Sequence, residues 1–274
     1  MTEQSRYKII ACDLDETLLD SDRKISPENR AAIRKAREQG VKFVPATGRG
    51  FTSVQGVLEE LGLANAPEEY VLSYNGGAIT ENRGNRLLHF EGLRFEQADA
   101  LFRRGLQYDV CIHVYTLETV YVYNFKANEQ AYLRGRMEVD VLPSPSIGFL
   151  RDVPIGKILF NSTDLEYLAR IERELSDLTA DLEVYYSSAR YLEFNPKGVS
   201  KGSGLLRLAE LLGVDPAETI AVGDNFNDRP MIRAAGLGVG VANVVEAVRP
   251  DCDYITQATN DQSAVAEVIR KFIL

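Results

Sequence analysis

The sequence predicts an α/β protein with a doubly wound, mainly parallel, Rossmann-like core and an inserted α/β domain. Near both ends of the chain, short apolar segments rich in β-branched residues alternate with helical segments. This alternation is typical of right-handed βαβ units, in which helices cover both faces of a parallel sheet. The middle of the chain has paired strand-like segments instead, which indicate a separate and mostly antiparallel unit. We therefore place the core at residues 1–84 and 189–274 and the inserted domain at residues 85–188.

The first part of the core is predicted as three strands and two helices. YKIIACD, at residues 7–13, has the continuous apolar character of a buried strand. A helix follows, because Ser26 is a favourable N-cap, Pro27 suits the first helical position and Gly40 suits the end. Further along, VKFVPATG predicts a second strand, FTSVQGVLEELG a second helix and EYVLSYNGG a third strand.

The inserted domain is predicted from a hairpin and the elements that follow it. Residues 110–115 and 119–123 have alternating side chains and are joined by a short link, which is typical of an antiparallel hairpin. A charged helix is expected near residues 127–138. The segments GKILFNS, DLEYLARIERELSDL and LEVYYSS then predict a strand, a helix and a strand.

The pattern of buried strands returns after the inserted domain. YLEFNP, at residues 191–196, is predicted as a strand of the core. The helix SKGSGLLRLAELLG has a stripe of leucines that suits one buried face, at Leu205, Leu208 and Leu212. ETIAVGD is again an apolar strand that ends in an acid, and SAVAEVIRKFI predicts a last helix.

Composition excludes several classes of function. The formal net charge of -9 argues against a nucleic-acid surface, which would be basic. The N-terminus is polar and no apolar run approaches the length of a membrane span, so we expect neither a signal peptide nor a membrane partner. The three cysteines form no CxxC or Cys/His cluster, which argues against zinc and favours free thiols in a cytoplasmic protein.

Polar residues follow the strands of the predicted core. They are Asp13 and Asp15 after the first strand, Thr47 after the second, Lys201 at the start of a helix, and Asp224, Asn227 and Asp228 after a late strand. We expect these residues to lie together, because the carboxyl ends of parallel strands form the edge where open α/β sheets bind ligands. Any one of them could be a turn former or an N-cap, but such roles do not account for the whole set. Clustered carboxylates repel one another unless a cation lies among them, and Mg²⁺ meets that need.

Four segments resemble the motifs of the haloacid dehalogenase-like (HAD) phosphatases: DLDETLL, ATGR, NPKGVSKGSGL and GDNFND. Their order and spacing look most like the Cof-type branch, in which a large C2-type cap domain is inserted between the second and third motifs. SYNGGAIT and ATNDQSAVAEVI also look like that branch. The resemblance covers nearly the whole predicted core, whereas the inserted domain matches the cap in size and position alone.

The resemblance implies a role for each residue at the sheet edge. Asp13 would be the nucleophile that forms an aspartyl-phosphate, and Asp15 would be the general acid and base. Mg²⁺ would be held by the side chain of Asp13, the backbone carbonyl of Asp15 and the side chain of Asp224. Asp228 would not bind the metal itself but would orient Lys201 or a metal-bound water. The phosphate oxygens would be held by the backbone amides of Leu14 and Gly48. The side chains of Thr47, Lys201 and Asn227 would hold them as well.

Some assignments have open alternatives at this point. The candidates for shaping a substrate pocket are Arg49, Asn75 and Lys157. Lys157 opens an apolar strand of the inserted domain, and a solvated lysine at a strand end is an equal alternative. Thr47 could merely begin a turn, Lys201 could be a solvated helix residue, and Asp228 could be merely the N-cap of the next helix. Glu16 departs from the family pattern, which most often has glycine at that position.

The motifs favour Mg²⁺-dependent hydrolysis of small phosphate monoesters, such as sugar phosphates, and therefore a small phosphorylated metabolite as partner. A phosphotransferase or phosphomutase would share every step up to the aspartyl-phosphate. A non-catalytic regulator that binds a phospholigand would be expected to lose Asp13 or Asp15, and both are present. A signalling receiver domain is disfavoured, because its phosphorylated aspartate follows the third strand and no acid follows the third strand here.

Overall fold

The strands of the protein form three sheets over residues 5–274, which are the residues that the computed structural model describes. A five-stranded and a three-stranded sheet belong to a first unit, formed by the described residues up to His89 together with Ser200–Leu274. A six-stranded sheet belongs to a second unit, Phe90–Val199. In chain order the strands are β1 (Ile9–Cys12), β2 (Lys42–Pro45), β3 (Tyr70–Ser73), β4 (Ala78–Glu81), β5 (Arg86–Phe90), β6 (Cys111–Thr116), β7 (Val120–Tyr123), β8 (Asp140–Val141), β9 (Ile155–Asn161), β10 (Leu182–Ser187), β11 (Tyr191–Pro196), β12 (Thr219–Gly223), β13 (Leu237–Gly240) and β14 (Tyr254–Ile255).

The first helix shows how local sequence sets the limits of an element. Its N-terminus is capped by Ser26, whose Oγ accepts a hydrogen bond from the amide of Asn29 at 3.1 Å. Its C-terminus is followed by Gly40, which has a φ of 84°. The start and end predicted from the sequence are thus confirmed. In chain order the α-helices are α1 (Pro27–Glu38), α2 (Gln55–Glu60), α3 (Phe95–Gly105), α4 (Ala127–Leu133), α5 (Leu165–Glu174), α6 (Ser176–Thr179), α7 (Lys201–Leu212), α8 (Arg229–Ala234) and α9 (Ala264–Phe272).

The five-stranded sheet is parallel throughout, with the order β14-β13-β12-β1-β2. Successive residues of β1 alternate between two apolar clusters. Ile10 and Cys12 belong to a cluster with residues of α1 and α9, whereas Ile9 and Ala11 belong to a cluster with residues of α7. Helices therefore cover both faces of the sheet, and the doubly wound fold predicted from the sequence is confirmed.

Strand β3 differs from the expectation of a third parallel strand. It pairs antiparallel with β4 in a three-stranded sheet that also contains β5, and its link to β2 is one parallel bridge between Ala46 and Leu72. The chain reverses directly after β3, at Asn75 and Gly76, where φ is 54° and 90°. A Cβ on Gly76 would lie 2.2 Å from the carbonyl oxygen of Ser200. A reversal this tight brings the next strand back antiparallel, whereas a parallel strand requires a crossover.

The six-stranded sheet has the order β10-β11-β9-β6-β7-β8 and is antiparallel except between β7 and β8. The predicted hairpin is confirmed as β6 and β7. One face of the sheet carries the apolar core of the second unit, in which Ile112 and Val114 join residues of α3 and α5. Helix α4 ends at Leu133, earlier than expected, and Gly135 follows it with a φ of 69°.

Strand β11 lies in this sheet between β10 and β9, although the sequence predicted a strand of the core at residues 191–196. All six of its residues are buried. A strand buried on both faces has the same apolar sequence in a parallel and in an antiparallel sheet, so its pattern did not reveal its partners.

The three cysteines are free thiols, as expected from composition. Cys12 and Cys111 are buried free thiols, and Cys252 is a half-buried free thiol. Within the described part of the chain, no helix combines the length and the apolar character required to cross a membrane.

Candidate active site

Three parallel strands end side by side at one edge of the five-stranded sheet. Strands β12, β1 and β2 are neighbours, and the last residue of β1 is in register with residues of both others. Asp13 follows β1, Thr47 comes two residues after β2, and Asp224 follows β12. Leu14 and Gly48, which were predicted to offer backbone amides, are the next residues in the chain after Asp13 and Thr47. These residues therefore emerge at the same edge, as the sequence predicted.

Asp13 is almost fully buried at this edge, with 7% of its surface exposed. Its amide donates a hydrogen bond to the carbonyl of Val222 at 2.9 Å, and its Oδ1 pairs with Nζ of Lys201. Burial raises the pKa of Asp13 to about 7; the charge of Asp228 adds to the rise and Lys201 opposes it. A further cation beside Asp13 would therefore favour its ionised, nucleophilic form.

Lys201 is fully buried in the first turn of α7. Ser200 caps this helix by accepting a hydrogen bond from the amide of Ser203 at 3.1 Å, which fixes the point where the lysine side chain leaves the backbone. Its Nζ contacts Asp13 and donates to Oδ1 of Asp228 at 2.6 Å. Burial by itself lowers the pKa of Lys201, but the two carboxylates outweigh burial and raise the pKa above its usual value. Lys201 is a buried cation between two acids, so the alternative of a solvated helix residue is wrong.

Asp228 is fully buried beside Lys201. Its Oδ2 accepts hydrogen bonds from the amides of Asp224 and Asn225, both at 3.0 Å, and its Oδ1 accepts from Lys201. Asp228 occupies the N-cap position of α8, but its side chain makes no capping hydrogen bond to that helix within the described chain, so Asp228 is not merely an N-cap. A Cβ on Gly223 would lie 2.4 Å from the Cβ of Asp228, which explains why β12 ends in glycine. These contacts hold Asp228 in place as the partner of Lys201.

Thr17 is a residue of the site that was not predicted from the sequence. It is fully buried, and its Oγ1 donates a hydrogen bond to Oδ1 of Asp224 at 2.7 Å. Asp224 is also buried, and burial together with the charges of Asp228 and Asp13 raises its pKa. The sequence carried a signal for this role of Thr17, because the segment DLDETLL contains both Asp13 and Thr17. The hydroxyl of Thr17 fixes the orientation of the Asp224 carboxylate.

The carboxylates of Asp13, Asp224 and Asp228 form a buried acidic cluster. One oxygen from each lies within 4.8 Å of the others, and Lys201 pairs with two of the three carboxylates. Both oxygens of Asp228 accept hydrogen bonds from protein groups. Asp13 and Asp224 each use one oxygen in the contacts seen among the described residues. An oxygen-only donor set with excess negative charge fits Mg²⁺, and Asp13 and Asp224 have the freer oxygens to hold it.

Glu16 lies on the tight turn that follows Asp13. This turn spans Leu14–Leu18, and Glu16 within it has φ 60° and ψ 11°. The left-handed region favours glycine, which accounts for the glycine that the family most often has there. The Glu16 side chain is exposed, and the backbone carbonyl of Glu16 accepts a hydrogen bond from Nδ2 of Asn243 at 2.8 Å.

The guanidinium of Arg49 holds the carboxylate of Asp15. Nε donates to Oδ2 at 3.0 Å, and Nη2 pairs with Oδ1. The side chain of Asp15 is 41% exposed, in contrast to the buried carboxylates of the acidic cluster. Arg49, which was predicted to shape the pocket, thus contacts Asp15 directly.

Thr47, Asn75 and Asn227 lie together beyond the end of β2. Thr47 is buried; its carbonyl accepts a hydrogen bond from the amide of Asn75 at 3.0 Å, and its Oγ1 accepts from the amide of Arg49 at 3.1 Å. Nδ2 of Asn227 donates to Oδ1 of Asn75 at 3.4 Å. Thr47 therefore begins a turn, as one alternative proposed. It also contacts Asn75, which in turn contacts Asn227, a residue predicted to hold phosphate.

Lys157 belongs to the second unit and is a buried residue of β9. It is 2% exposed, and its Nζ donates to Oε2 of Glu193 at 2.6 Å. The same Nζ lies 4.8 Å from the centroid of the Tyr115 ring. The alternative of a solvated lysine at a strand end is therefore wrong, because the side chain of Lys157 is buried and paired with Glu193.

Comparison with known proteins agrees with this arrangement. The model of the haloacid dehalogenase-like hydrolase family matches residues 10–269. The chain belongs to this family. The resemblance drawn from the motifs is thereby confirmed.

Relatives of this family member match it over nearly its whole length. The Bacillus subtilis 5-amino-6-(5-phospho-D-ribitylamino)uracil phosphatase YcsE is 30% identical over 277 residues, which cover 99% of this chain and 98% of the relative. Phosphatase YwpJ of the same organism is 30% identical over 292 residues, which cover 97% and 100%. A solved haloacid dehalogenase-like hydrolase from B. subtilis has a TM-score of 0.85 at 29% identity and covers 97% of this chain and 100% of its own.

Proposed function

We propose that this HAD-like hydrolase is a Mg²⁺-dependent phosphatase that hydrolyses small phosphate monoesters through an aspartyl-phosphate on Asp13. The observation that carries the proposal is the buried group of Asp13, Lys201, Asp224 and Asp228 at the sheet edge. The names of the relatives YcsE and YwpJ, both phosphatases, support the same activity.

In the first step, a carboxylate oxygen of Asp13 attacks phosphorus, and the bond from phosphorus to the leaving oxygen breaks. The carboxyl group of Asp15 gives its proton to that leaving oxygen. In the second step, Asp15 takes a proton from a water molecule, which attacks the phosphorus of the aspartyl-phosphate. The bond from phosphorus to Asp13 then breaks, and inorganic phosphate leaves.

The phosphate group would be held at the ends of β1 and β2. We assign this role to groups that donate hydrogen bonds or carry positive charge, namely the amides of Leu14 and Gly48, the hydroxyl of Thr47, the side-chain amide of Asn227 and the ammonium group of Lys201. Lys201 would also offset the charge of the nucleophile, because it is already paired with Asp13.

Mg²⁺ would be held by the side chains of Asp13 and Asp224 and by the backbone carbonyl of Asp15. When bound, the ion supplies positive charge that stabilises the transferring phosphoryl group. Asp228 would act indirectly, by fixing the side chain of Lys201. Thr17 would also act indirectly, by fixing the carboxylate of Asp224.

The proposed substrate class is supported by the names of relatives in the family. YcsE is named for a phosphorylated ribitylaminouracil, and we propose a comparable small phosphorylated metabolite, of the sugar-phosphate type, for this protein. Arg49 and Asn75 would shape the pocket around its non-phosphate part. The three free thiols suit a reducing compartment, so we place the enzyme in the cytoplasm.

The test is release of inorganic phosphate from a panel of phosphate monoesters with Mg²⁺. Asp13→Asn should abolish release from every ester, because it removes the nucleophile, and a chelator should abolish release reversibly. Asp22→Asn, which changes an exposed aspartate on the loop after the same motif, is the control and should keep the parent rate. Turnover by Asp13→Asn at the parent rate would contradict the mechanism. Release that requires an added acceptor alcohol would favour a phosphotransferase instead.

A further inference from the structure

The contact between Arg49 and Asp15 joins the proposed general acid and base to an arginine. Nε and Nη2 of Arg49 face the two carboxylate oxygens, so the pair is bidentate. Two parallel N–H···O bonds fix the plane of a carboxylate as well as its position, which a lysine cannot do. Each carboxylate oxygen has two lone pairs, and the guanidinium uses one on each. The carboxyl group of Asp15 can therefore carry a proton on its open side while its orientation is held.

Arg49 is itself held on both sides of its Cα. Its amide donates to Oγ1 of Thr47 at 3.1 Å, and its carbonyl accepts a hydrogen bond from the amide of Tyr74 at 3.0 Å. The arginine therefore extends from a backbone that is tied to the loop after β2 and to the end of β3. Its guanidinium reaches Asp15 from a fixed point.

Stability alone is a poor reason for this pair. The Arg49 and Asp15 side chains are 20% and 41% exposed. Ion pairs that are open to water contribute little to stability. The same exposure leaves Asp15 accessible to a ligand, as an acid and base must be. Precise orientation of Asp15 is the property that a bidentate arginine supplies here.

We propose that Arg49 is a positioning residue that aims the Asp15 carboxyl group at the leaving oxygen. The proposal rests on the proposed role of Asp15 as general acid and base. Arg49 acts through Asp15, and the proton that reaches the leaving oxygen comes from Asp15. Loss of Arg49 should therefore reduce acid catalysis and leave nucleophilic attack by Asp13 intact.

The experiment compares two esters that differ in their need for acid catalysis. The first is p-nitrophenyl phosphate, whose leaving group departs without a proton. The second is the sugar phosphate that the parent hydrolyses best, whose leaving alkoxide needs one. For the sugar phosphate, Arg49→Met should lower kcat/KM at least about tenfold, which is part of the roughly 10²–10⁴-fold that general acid catalysis contributes. For p-nitrophenyl phosphate it should lower kcat/KM by less than about threefold, because kcat/KM reports the step in which the ester bond breaks. Arg49→Lys should give an intermediate loss of kcat/KM for the sugar phosphate, because lysine keeps the positive charge but cannot make two parallel hydrogen bonds to the carboxylate.

Two outcomes of this comparison would overturn the proposal. Equal losses for both esters would mean that Arg49 binds the phosphate group that they share. An unchanged or faster reaction of the sugar phosphate would mean that Arg49 does not position Asp15. The matched control is Arg37→Met, since Nε of Arg37 donates to Glu69 at 3.0 Å and its side chain is 24% exposed. Arg37→Met should keep the parent values for both esters.

A double-mutant cycle tests whether Arg49 acts through Asp15. In an Asp15→Asn background, Arg49→Met should cause no further loss with the sugar phosphate, because the group that it positions is already gone. Additive losses would contradict the proposal.

A second cycle separates this proposal from the proposed function. If the parent releases no phosphate from any ester, the proposed function has failed, and the cycle is then measured on the thermal unfolding midpoint. Small non-additive shifts for Arg49→Met and Asp15→Asn, of the size expected for an ion pair open to water, support the pairing, and shifts that add within error overturn it.

Discussion

Glu16 and Thr17 are adjacent on the turn after Asp13 and are constrained in different ways. Glu16 is held by its backbone, which has a φ of 60° while its side chain is exposed. Thr17 is held by its side chain, which is buried and donates to Asp224. A turn that requires a left-handed residue next to a buried hydroxyl can tolerate glutamate at the first position but needs a hydroxyl at the second.

Glu16→Gly should stabilise the protein slightly. A left-handed non-glycine residue costs about 1–2 kcal/mol, and the extra freedom of glycine in the unfolded chain returns about 0.5–1 kcal/mol of that. The net gain should not exceed about 1.5 kcal/mol, or roughly 3–6 °C in the thermal midpoint. Phosphatase activity should be retained.

Glu16→Ala is the control for this prediction, because it removes the charge and keeps Cβ. If Glu16→Ala raised the thermal midpoint as much as Glu16→Gly, the backbone explanation would be wrong and the charge of Glu16 would be responsible.

Thr17→Val should weaken Mg²⁺ binding about tenfold, at the lower end of the range for groups that orient a metal ligand. Valine has the shape of threonine and lacks the hydroxyl that donates to Asp224. Calorimetric titration of Mg²⁺ without substrate is the measurement. Thr17→Ser keeps the hydroxyl and should bind as the parent does; a Thr17→Val variant with parent affinity would show that the hydrogen bond does not position Asp224.

Strand β6 carries a histidine in the sheet of the second unit. His113 is fully buried and lies against the rings of Tyr115 and Tyr191. Burial lowers its pKa to about 3, and the charges of Lys157 and Arg190 contribute to the fall. This occurs although Oε1 of Glu129 is 3.5 Å from Nε2, because Glu129 is buried as well and burial raises its own pKa. His113 is thus a neutral member of the strand at physiological pH.

This histidine should make the protein less stable as the pH falls. The unfolded chain binds a proton at His113 below about pH 6.5, whereas the folded chain does not until about pH 3. The unfolded state therefore binds more protons in that window, and the free energy of unfolding falls by up to about 1.4 kcal/mol per pH unit.

His113→Gln should remove this dependence, so the midpoint difference between variant and parent should change in favour of the variant from pH 7 to pH 4.5. His89→Gln is the matched control for removal of the other histidine. Parallel pH curves for His113→Gln and the parent would contradict a low pKa at His113.

The two units differ in how the chain builds them. The second unit is one continuous segment, Phe90–Val199, with an apolar cluster of its own between one face of its sheet and α3 and α5. The first unit combines two segments, and β1 lies between β2 from one and β12 from the other. The second unit therefore has what an independent domain needs, whereas the first requires both ends of the chain.

Residues 90–199 should fold when expressed alone. Circular dichroism should show an α/β spectrum, and heating should give one cooperative transition, because the apolar core is complete within the segment. The same segment with Ile158→Asp, which places a charge in that core, should show no transition. A non-cooperative melt of the unmodified segment would show that its core depends on the rest of the chain.

The sequence predicted the elements whose limits depend on near neighbours. The cap at Ser26, the turn at Gly40 and the apolar run of β1 act over a few residues, and the structure has each of them where it was expected. It also placed the acids at one sheet edge, because the carboxyl ends of parallel strands always meet there. The partners of β3 and β11 were missed, because an apolar strand fits a parallel and an antiparallel sheet equally well.

The sequence by itself determined the family, the doubly wound core and the acids at its edge, because motifs and apolar patterns are local. The tertiary structure decided which charges and hydroxyls meet. Lys201 contacts Asp13 across 188 positions of sequence, and Thr17 contacts Asp224 across 207. Such pairs depend on how parallel strands from opposite ends of the chain are brought side by side, and no local pattern encodes that arrangement.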